Sequence, residues 1–195
     1  MPALKARRRS RIRGGDGIRM LGLVGLPGSG KSTVASVLRS YGFPIVVMGD
    51  AVRREAARRG AKPSAGGMRE FMLRLREERG DAAVAELCVP LVREAGSKTV
   101  VVDGIRSPAE VKRFEALGKV ALIGVFCPRK LRFERLRRRP RKDAPRSVRD
   151  LELRDEAELS VGLGTTLALA DFMIVNDGSV RDLKPAIERI VKSLA

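Results

Sequence analysis

The sequence predicts a doubly wound α/β domain, in which helices cover both faces of a five-stranded parallel sheet. Five short runs rich in β-branched residues predict the strands, at 20–25, 44–48, 98–104, 119–126 and 171–176. These runs are continuously apolar rather than alternating, which is typical of parallel strands covered on both faces. Helical patterns separate them, at 31–41, 50–60, 67–79, 81–95, 107–117, 128–139, 147–158 and 179–193. Strands that alternate with helices in this way indicate an α/β sheet.

The chain of 195 residues is long enough for one domain with a full core, which we place at 20–195. Residues 1–19 carry seven Lys or Arg against one Asp and predict a flexible basic arm. The net charge is +17, and the segment 128–154 adds twelve basic residues against four acidic ones. Nonspecific nucleic-acid contact, above all through the arm, is therefore one expectation.

Composition excludes several classes of site. The chain has no histidine, which excludes a histidine general base, a Ser-His-Asp triad and a His-ligated metal. Cys88 and Cys127 lie far apart and are expected to be buried thiols rather than zinc ligands or a disulfide. No apolar run approaches the length of a membrane span, and the N-terminus lacks the apolar stretch of a signal peptide. We therefore expect a cytoplasmic protein without membrane contact.

A glycine-rich loop follows the first strand and fits the pattern G-x-x-x-x-G-K-[ST]. Glycines let successive backbone N–H groups turn inward around a polyphosphate, and the helix that follows adds the positive end of its dipole. The lysine reaches the β and γ phosphates and is the predicted catalytic lysine. The predicted nucleotide-binding residues of this loop are Gly25, Pro27, Gly28, Ser29, Gly30, Lys31, Ser32 and Thr33.

Ligands of doubly wound sheets bind beyond the carboxyl ends of the strands, so the residues that follow each strand are the candidates for chemistry. Asp103 closes the apolar run "VVVD", which is the Walker B pattern. Together with the Ser32 hydroxyl, such an acid holds Mg²⁺. The alternative is a turn, because Asp-Gly is also a turn signal. Arg106 follows closely and is expected to face the same crevice and bind the acceptor.

Asp50 and Arg53 follow the second strand and are spaced one helical turn apart. Arg53 is a candidate ligand for a second anion, the acceptor. Asp50 is a candidate catalytic base that takes a proton from an acceptor hydroxyl. The alternative for Asp50 is a plain helix N-cap, and for Arg53 a solvated helix face.

An arginine-rich segment follows the fourth strand and predicts a closing lid over about 128–160. A lid of this kind brings arginines to a transferring phosphoryl group and expels water. We assign Arg135 to the nucleotide, Arg139 to catalysis and Arg154 to the acceptor. The alternative is a solvated basic helix.

A turn at Asn176–Gly178 follows the fifth strand and precedes a helix that Ser179 is expected to cap. A backbone turn in this position is expected to border the nucleobase. Asn176 and Gly178 complete the predicted nucleotide-binding residues.

The segments "GLPGSGKST", "MGDAVRREA" and "VVDGIR", in this order with an arginine lid, resemble the nucleoside monophosphate kinase superfamily. "GDAVR" is similar to the adenylate kinase stretch G-D-M-L-R, whose arginine binds the AMP phosphate and corresponds to Arg53. "DGIR" is similar to the adenylate kinase stretch D-G-F-P-R, one residue shorter, and aligns Arg106 with its arginine. "ADFMIVNDGSVRDLK" is similar to the tail of dephospho-CoA kinases, in which the turn borders the adenine and an acid corresponding to Asp50 is the base. The whole of 20–193 resembles a family of archaeal P-loop proteins described as adenylate kinase-related or dephospho-CoA kinase-like. The resemblance implies a P-loop NTPase fold with a helical acceptor-binding insertion at about 49–96 and a lid.

The expected activity is an ATP- and Mg²⁺-dependent transfer of phosphate to a small nucleotide-type acceptor. A nucleoside monophosphate requires only arginines to bind it, whereas dephospho-CoA or a nucleoside presents a hydroxyl that benefits from a base. The rival class is a nucleic-acid-associated ATPase, which the basic arm favours and the scarcity of aromatic residues disfavours. A signalling GTPase is disfavoured because no N-K-x-D motif occurs.

Overall fold

The computed structural model describes residues 17–61, 65–138, 145 and 147–193. Nearly all of the predicted basic arm, and the predicted catalytic Arg139, lie outside these described residues. Among the described residues, no helix is long and apolar enough to cross a membrane.

The sheet has five parallel strands, as the apolar runs predict. They are β1 (Arg19–Val24), β2 (Ile45–Val47), β3 (Thr99–Asp103), β4 (Val120–Phe126) and β5 (Phe172–Val175), in the spatial order β2-β3-β1-β4-β5. Each neighbouring pair is parallel, so all five carboxyl ends lie at one edge. The chain crosses from β1 outward to β2 and returns through β3 to reach β4. The crevice at this reversal lies beyond β1, where the glycine-rich loop begins.

Nine helices occur in the described residues, one more than the sequence predicts. They are α1 (Lys31–Ser40), α2 (Met48–Arg58), α3 (Ala65–Arg79), α4 (Ala83–Glu94), α5 (Pro108–Glu115), α6 (Arg129–Arg137), α7 (Val148–Ser160), α8 (Leu163–Ala168) and α9 (Val180–Ser193). The helix missed is α8, whose six residues are too few to establish a 3.6-residue period. The second predicted strand was also too long, because α2 begins at Met48 directly after β2.

Both faces of the sheet are covered, which explains the continuously apolar strands. On one face, α1 and α9 pack over alternate strand residues that include Leu21, Leu23 and Ile123. On the other face, residues of α2, α4, α5 and α8 pack over a second set that includes Met20 and Val102. Because both strand faces are covered by apolar side chains, polar residues that could bind a ligand lie at the strand ends.

Both cysteines are buried and free, as predicted. Burial raises the pKa of the Cys88 thiol to about 12, which leaves it in the unreactive protonated form. Burial also raises the pKa of Cys127.

Candidate active site

The glycine-rich loop spans residues 25–30 between the end of β1 and the start of α1. Gly28 and Gly30 have φ values of +80° and +103°, which side-chain-bearing residues rarely adopt. A Cβ atom at Gly25 would lie 2.7 Å from Ser29 Oγ, and one at Gly28 would lie 2.9 Å from Leu136 Cγ. The loop therefore requires glycine for its backbone conformation and for its close packing.

Lys31 begins α1 and extends back over the loop. Its Nζ donates hydrogen bonds to the carbonyl oxygens of Gly25, at 2.6 Å, and Leu26, at 3.3 Å. The ammonium group is thus held beside the loop, where a bound polyphosphate would add its negative charge. Ser32 is exposed in the first turn of the same helix, and Thr33 is half-buried.

Asp103 ends β3 at the carboxyl edge, in register with Leu23 of β1 and Val47 of β2. Burial raises the pKa of its carboxyl group, nearby Lys31 and Arg106 lower it, and Asp50 raises it further. The charges of Lys31, Arg106 and Asp50 all act on Asp103, so the four groups lie near one another at the carboxyl edge of the sheet. The three strands β1, β3 and β2 bring the four side chains together.

The donor set of this crevice fits a hydrated Mg²⁺ ion bound with a nucleotide. The described residues contain no group of three or more His, Cys, Asp or Glu that could hold a metal alone. Asp103 and the Ser32 hydroxyl offer the hard oxygen ligands that Mg²⁺ prefers, and this ion normally takes its other ligands from phosphates and water. The arrangement thus suits a metal that arrives with its nucleotide.

Asp50 and Arg53 lie in the first two turns of α2 and form an ion pair with each other. Their side chains are 52% and 58% exposed, so both remain accessible. The N-cap of α2 is Val47, with no side-chain cap, and Asp50 lies inside the first turn. Asp50 is therefore not the N-cap that the sequence left open as an alternative.

Arg106 follows β3 and is held by two partners. Its Nε donates to Glu158 Oε2 at 2.5 Å, and its Nη1 donates to the Gly104 carbonyl at 2.9 Å. Glu110 is completely buried and accepts the Arg106 backbone N–H at 2.7 Å. Arg106 is thus fixed in orientation beside Asp103.

The turn after β5 packs behind the glycine-rich loop. Asn176 is 5% exposed, and its Nδ2 donates to the Ser29 carbonyl at 2.7 Å. Arg135, on α6, donates to the carbonyl oxygens of Asn176, at 3.0 Å, and Gly178, at 3.3 Å. The structure therefore brings together four residues that the sequence assigned separately to the nucleotide, which are Ser29, Arg135, Asn176 and Gly178.

Sequence reasoning missed three residues that contact this site, which are Arg132, Asp155 and Glu158. Arg132 is 3% exposed although it lies in the predicted lid. It pairs with Asp155 on α7, and Glu158 follows one turn later to pair with Arg106. Arg154 lies half-buried on the same helix. No local signal distinguishes Arg132 from the other basic residues around it.

Two comparisons of sequence identify relatives. Residues 24–152 match the family described as AAA domain. A UPF0200 protein of Hyperthermus butylicus is 42% identical over 172 residues, which cover 88% of this chain and 92% of that protein. One from Pyrococcus horikoshii is 42% identical over 177 residues, covering 88% and 95%. The chain belongs to the UPF0200 family and carries an AAA domain.

Solved structures share the fold of this UPF0200 chain. TT1252 from Thermus thermophilus is 22% identical, with a TM-score of 0.66, over 93% of this chain and 100% of that one. Shikimate kinase from Bacteroides thetaiotaomicron is 16% identical, with a TM-score of 0.59, over 91% and 98%. These likenesses confirm the P-loop kinase-like fold that the sequence predicts.

Proposed function

We propose that the chain is an ATP- and Mg²⁺-dependent phosphotransferase that moves the γ-phosphate to a nucleoside monophosphate. The observation that carries this proposal is the convergence of Lys31, Asp103, Asp50 and Arg106 at the carboxyl edge of β1, β2 and β3. The site combines a polyphosphate loop, an acid suited to Mg²⁺ and arginines for a second anion. The family match to an AAA domain supports nucleotide binding.

On the nucleotide side, the loop N–H groups and Lys31 would bind the β and γ phosphates. Binding would draw the Lys31 ammonium from its present bonds with the Gly25 and Leu26 carbonyls. Arg135 and the turn at 176–178 would border the nucleoside. Phosphate transfer requires little covalent chemistry from the protein, so these contacts act by positioning and by charge stabilisation.

Ser32 and Asp103 would hold the metal. When bound, Mg²⁺ neutralises charge on the β and γ phosphate oxygens. The raised pKa of Asp103 is consistent with this assignment, because a divalent cation would stabilise the carboxylate that burial disfavours.

On the acceptor side, Arg53 and Arg106 are the candidate phosphate ligands, with Arg154 on the lid helix α7. Arg53 is half exposed and its partner Asp50 is on the same helix, so an incoming phosphate can compete for the guanidinium group. A phosphate acceptor is already ionised at neutral pH and needs no base.

A hydroxyl acceptor, as in dephospho-CoA kinases, is the second candidate. The observation that favours it is that the charge of Asp50, whose side chain is 52% exposed, acts on Asp103, the proposed metal ligand. Asp50 in that position would accept the hydroxyl proton as the phosphoryl group is transferred. One fold neighbour is a shikimate kinase, but its 16% identity shows the fold alone and does not distinguish the two acceptors.

A panel screen tests the proposal. ATP and Mg²⁺ are incubated with each nucleoside monophosphate, dephospho-CoA and nucleosides, and ADP release and product mass are measured. A phosphorylated nucleoside monophosphate is the expected result. Phosphorylated dephospho-CoA or nucleoside would favour the hydroxyl acceptor. ADP release that RNA or DNA stimulates, without any phosphorylated small molecule, would favour the nucleic-acid-associated ATPase.

A further inference from the structure

Two buried side chains hold the glycine-rich loop from behind. Arg132 Nη1 donates to the Pro27 carbonyl at 3.2 Å, and Asn176 Nδ2 donates to the Ser29 carbonyl at 2.7 Å. The side chains are 3% and 5% exposed. They therefore anchor the loop from the protein interior.

These anchors fix the directions of backbone donors. A trans peptide group points its C=O and its N–H in opposite directions, and the described chain has no cis peptide bond. Drawing the Pro27 carbonyl inward therefore turns the Gly28 N–H outward. The Ser29 carbonyl acts in the same way on the Gly30 N–H. Anion-binding loops depend on such converging N–H groups, so the anchors preorganise this loop before a phosphate binds.

Arg132 is fixed in turn by an acid of the predicted lid. Asp155, on α7, accepts hydrogen bonds from Arg132 Nη1 at 2.8 Å and Nη2 at 2.6 Å. This bidentate geometry sets the plane of the guanidinium group and directs Nη1 toward Pro27. The backbone of α6 also adjoins the loop, because a Cβ atom at Gly28 would lie 3.0 Å from the Arg132 carbonyl oxygen.

We propose that Arg132 and Asp155 are positioning residues of the nucleotide loop. Asp155 orients Arg132, Arg132 fixes the Pro27 carbonyl, and the Gly28 N–H is thereby aimed at the phosphates. Helix α7 thus controls nucleotide affinity through a buried residue that itself touches no nucleotide. This inference requires nucleotide binding by the loop, as proposed above, but no particular acceptor.

The decisive variant separates positioning from stability. Arg132→Met combined with Asp155→Leu removes both charges together, and such replacement of a buried ion pair is often neutral for stability. The Pro27 carbonyl, however, loses its donor. We expect the Kd for mant-ADP to rise about tenfold or more, the scale of one hydrogen bond to a charged group. The urea midpoint of unfolding should stay near that of the wild type.

Arg132→Lys is the second variant and applies if the double variant does not fold. Lysine keeps a charge for Asp155 but lacks the planar fork that bonds two partners at once. We expect a folded protein with weakened mant-ADP binding. Wild-type affinity in a folded Arg132→Lys or double variant would overturn the proposal.

Glu152→Gln provides the matched control. Glu152 and Arg129 also join α7 to α6, but both are more exposed and neither bonds the loop. This variant should keep wild-type affinity for mant-ADP. An equal loss of affinity in Glu152→Gln would show that general contact between the two helices, rather than the Pro27 anchor, is responsible. Failure of the wild type to bind mant-ADP would refute nucleotide binding itself, which is a distinguishable result.

Discussion

Asp50→Asn paired with Arg53→Ala distinguishes the two classes of acceptor. The two side chains form one ion pair, but they have different roles in the two mechanisms. Asn keeps the size of Asp but removes its negative charge, and with it both the ion pair to Arg53 and the ability to accept a proton. Ala at position 53 removes the cation that would bind a phosphate acceptor.

The structure indicates that neither change should unfold the protein. Both side chains are more than half exposed, and an exposed ion pair contributes only about 0–1 kcal/mol to stability. Asp50 is also not the N-cap of α2, so no capping bond is lost. A large loss of activity in either variant would therefore report on chemistry or binding.

For a nucleoside monophosphate acceptor, we expect Asp50→Asn to reduce kcat less than about tenfold, since a phosphate needs no base. Arg53→Ala should raise the KM for AMP by about 10- to 100-fold, which corresponds to losing one hydrogen bond to a charged group. For a hydroxyl acceptor, Asp50→Asn should instead lower kcat by about 10² to 10⁴. The assay measures initial rates by product mass at varied AMP and dephospho-CoA, with mant-ATP binding and urea unfolding as controls.

The proposal of a phosphate acceptor rests on the similarity of "GDAVR" to the AMP-binding stretch of adenylate kinases. A thousandfold loss of kcat in Asp50→Asn, with normal mant-ATP binding and normal stability, would refute that reasoning. So would an Arg53→Ala variant with an unchanged KM for AMP.

Three further predictions concern the nucleotide, the metal and the arm. Lys31→Ala should lower turnover by about 10²-fold or more in a folded protein, since Lys31 would neutralise charge on the transferred phosphoryl group. Steady-state rates measure turnover, and a circular dichroism spectrum checks that the variant is folded. Wild-type turnover would contradict the kinase proposal. Asp103→Asn should abolish Mg²⁺-dependent turnover yet raise the free energy of unfolding at neutral pH by roughly 0.5–2 kcal/mol. The pKa of Asp103 is raised in the folded protein, so its carboxylate destabilises the fold above that pKa. The difference in the free energy of unfolding between variant and wild type should therefore shrink as the pH falls through this pKa. Urea unfolding between pH 4 and 8 measures this difference, and a less stable variant at neutral pH would contradict the prediction. Deleting residues 1–16 should leave turnover near wild type and weaken retention on heparin or DNA with a shallower salt dependence, and loss of turnover would instead place the arm in the site.

The parts of the site that the sequence predicted are those set by contiguous residues or by strand ends. The loop pattern at 25–32 is contiguous, and Asp103 closes an apolar run whose carboxyl end must face the same edge as β1. The rest depends on contacts across the chain. Arg132 lies 23 residues from Asp155 and 105 from Pro27, and no local pattern brings the three together. Asn176 was assigned to the nucleobase side of the site, whereas its buried amide bonds the loop 147 residues away.

Contacts across the chain also neutralise part of the basic charge of residues 128–154. Residues 128–154 contain twelve basic residues against four acidic ones, which by itself suggests a large anion-binding capacity. In the structure, Arg132 bonds Asp155, Arg129 bonds Glu152, and Arg106 outside this segment bonds Glu158. Two of these acids, Asp155 and Glu158, lie beyond residue 154 and are therefore left out of the count for 128–154.

Helix α7 therefore pairs with two arginines of α6 and with Arg106 after β3, through acids spaced along its length. Arg132 is in addition buried, so its charge supports the loop and is not presented to a partner. The count for residues 128–154 alone therefore overstates the charge that the described parts of α6 and α7 offer to nucleic acid. A few oriented guanidinium groups, held by carboxylates at fixed positions, suit the recognition of a small anion better than a diffuse contact with a phosphate backbone.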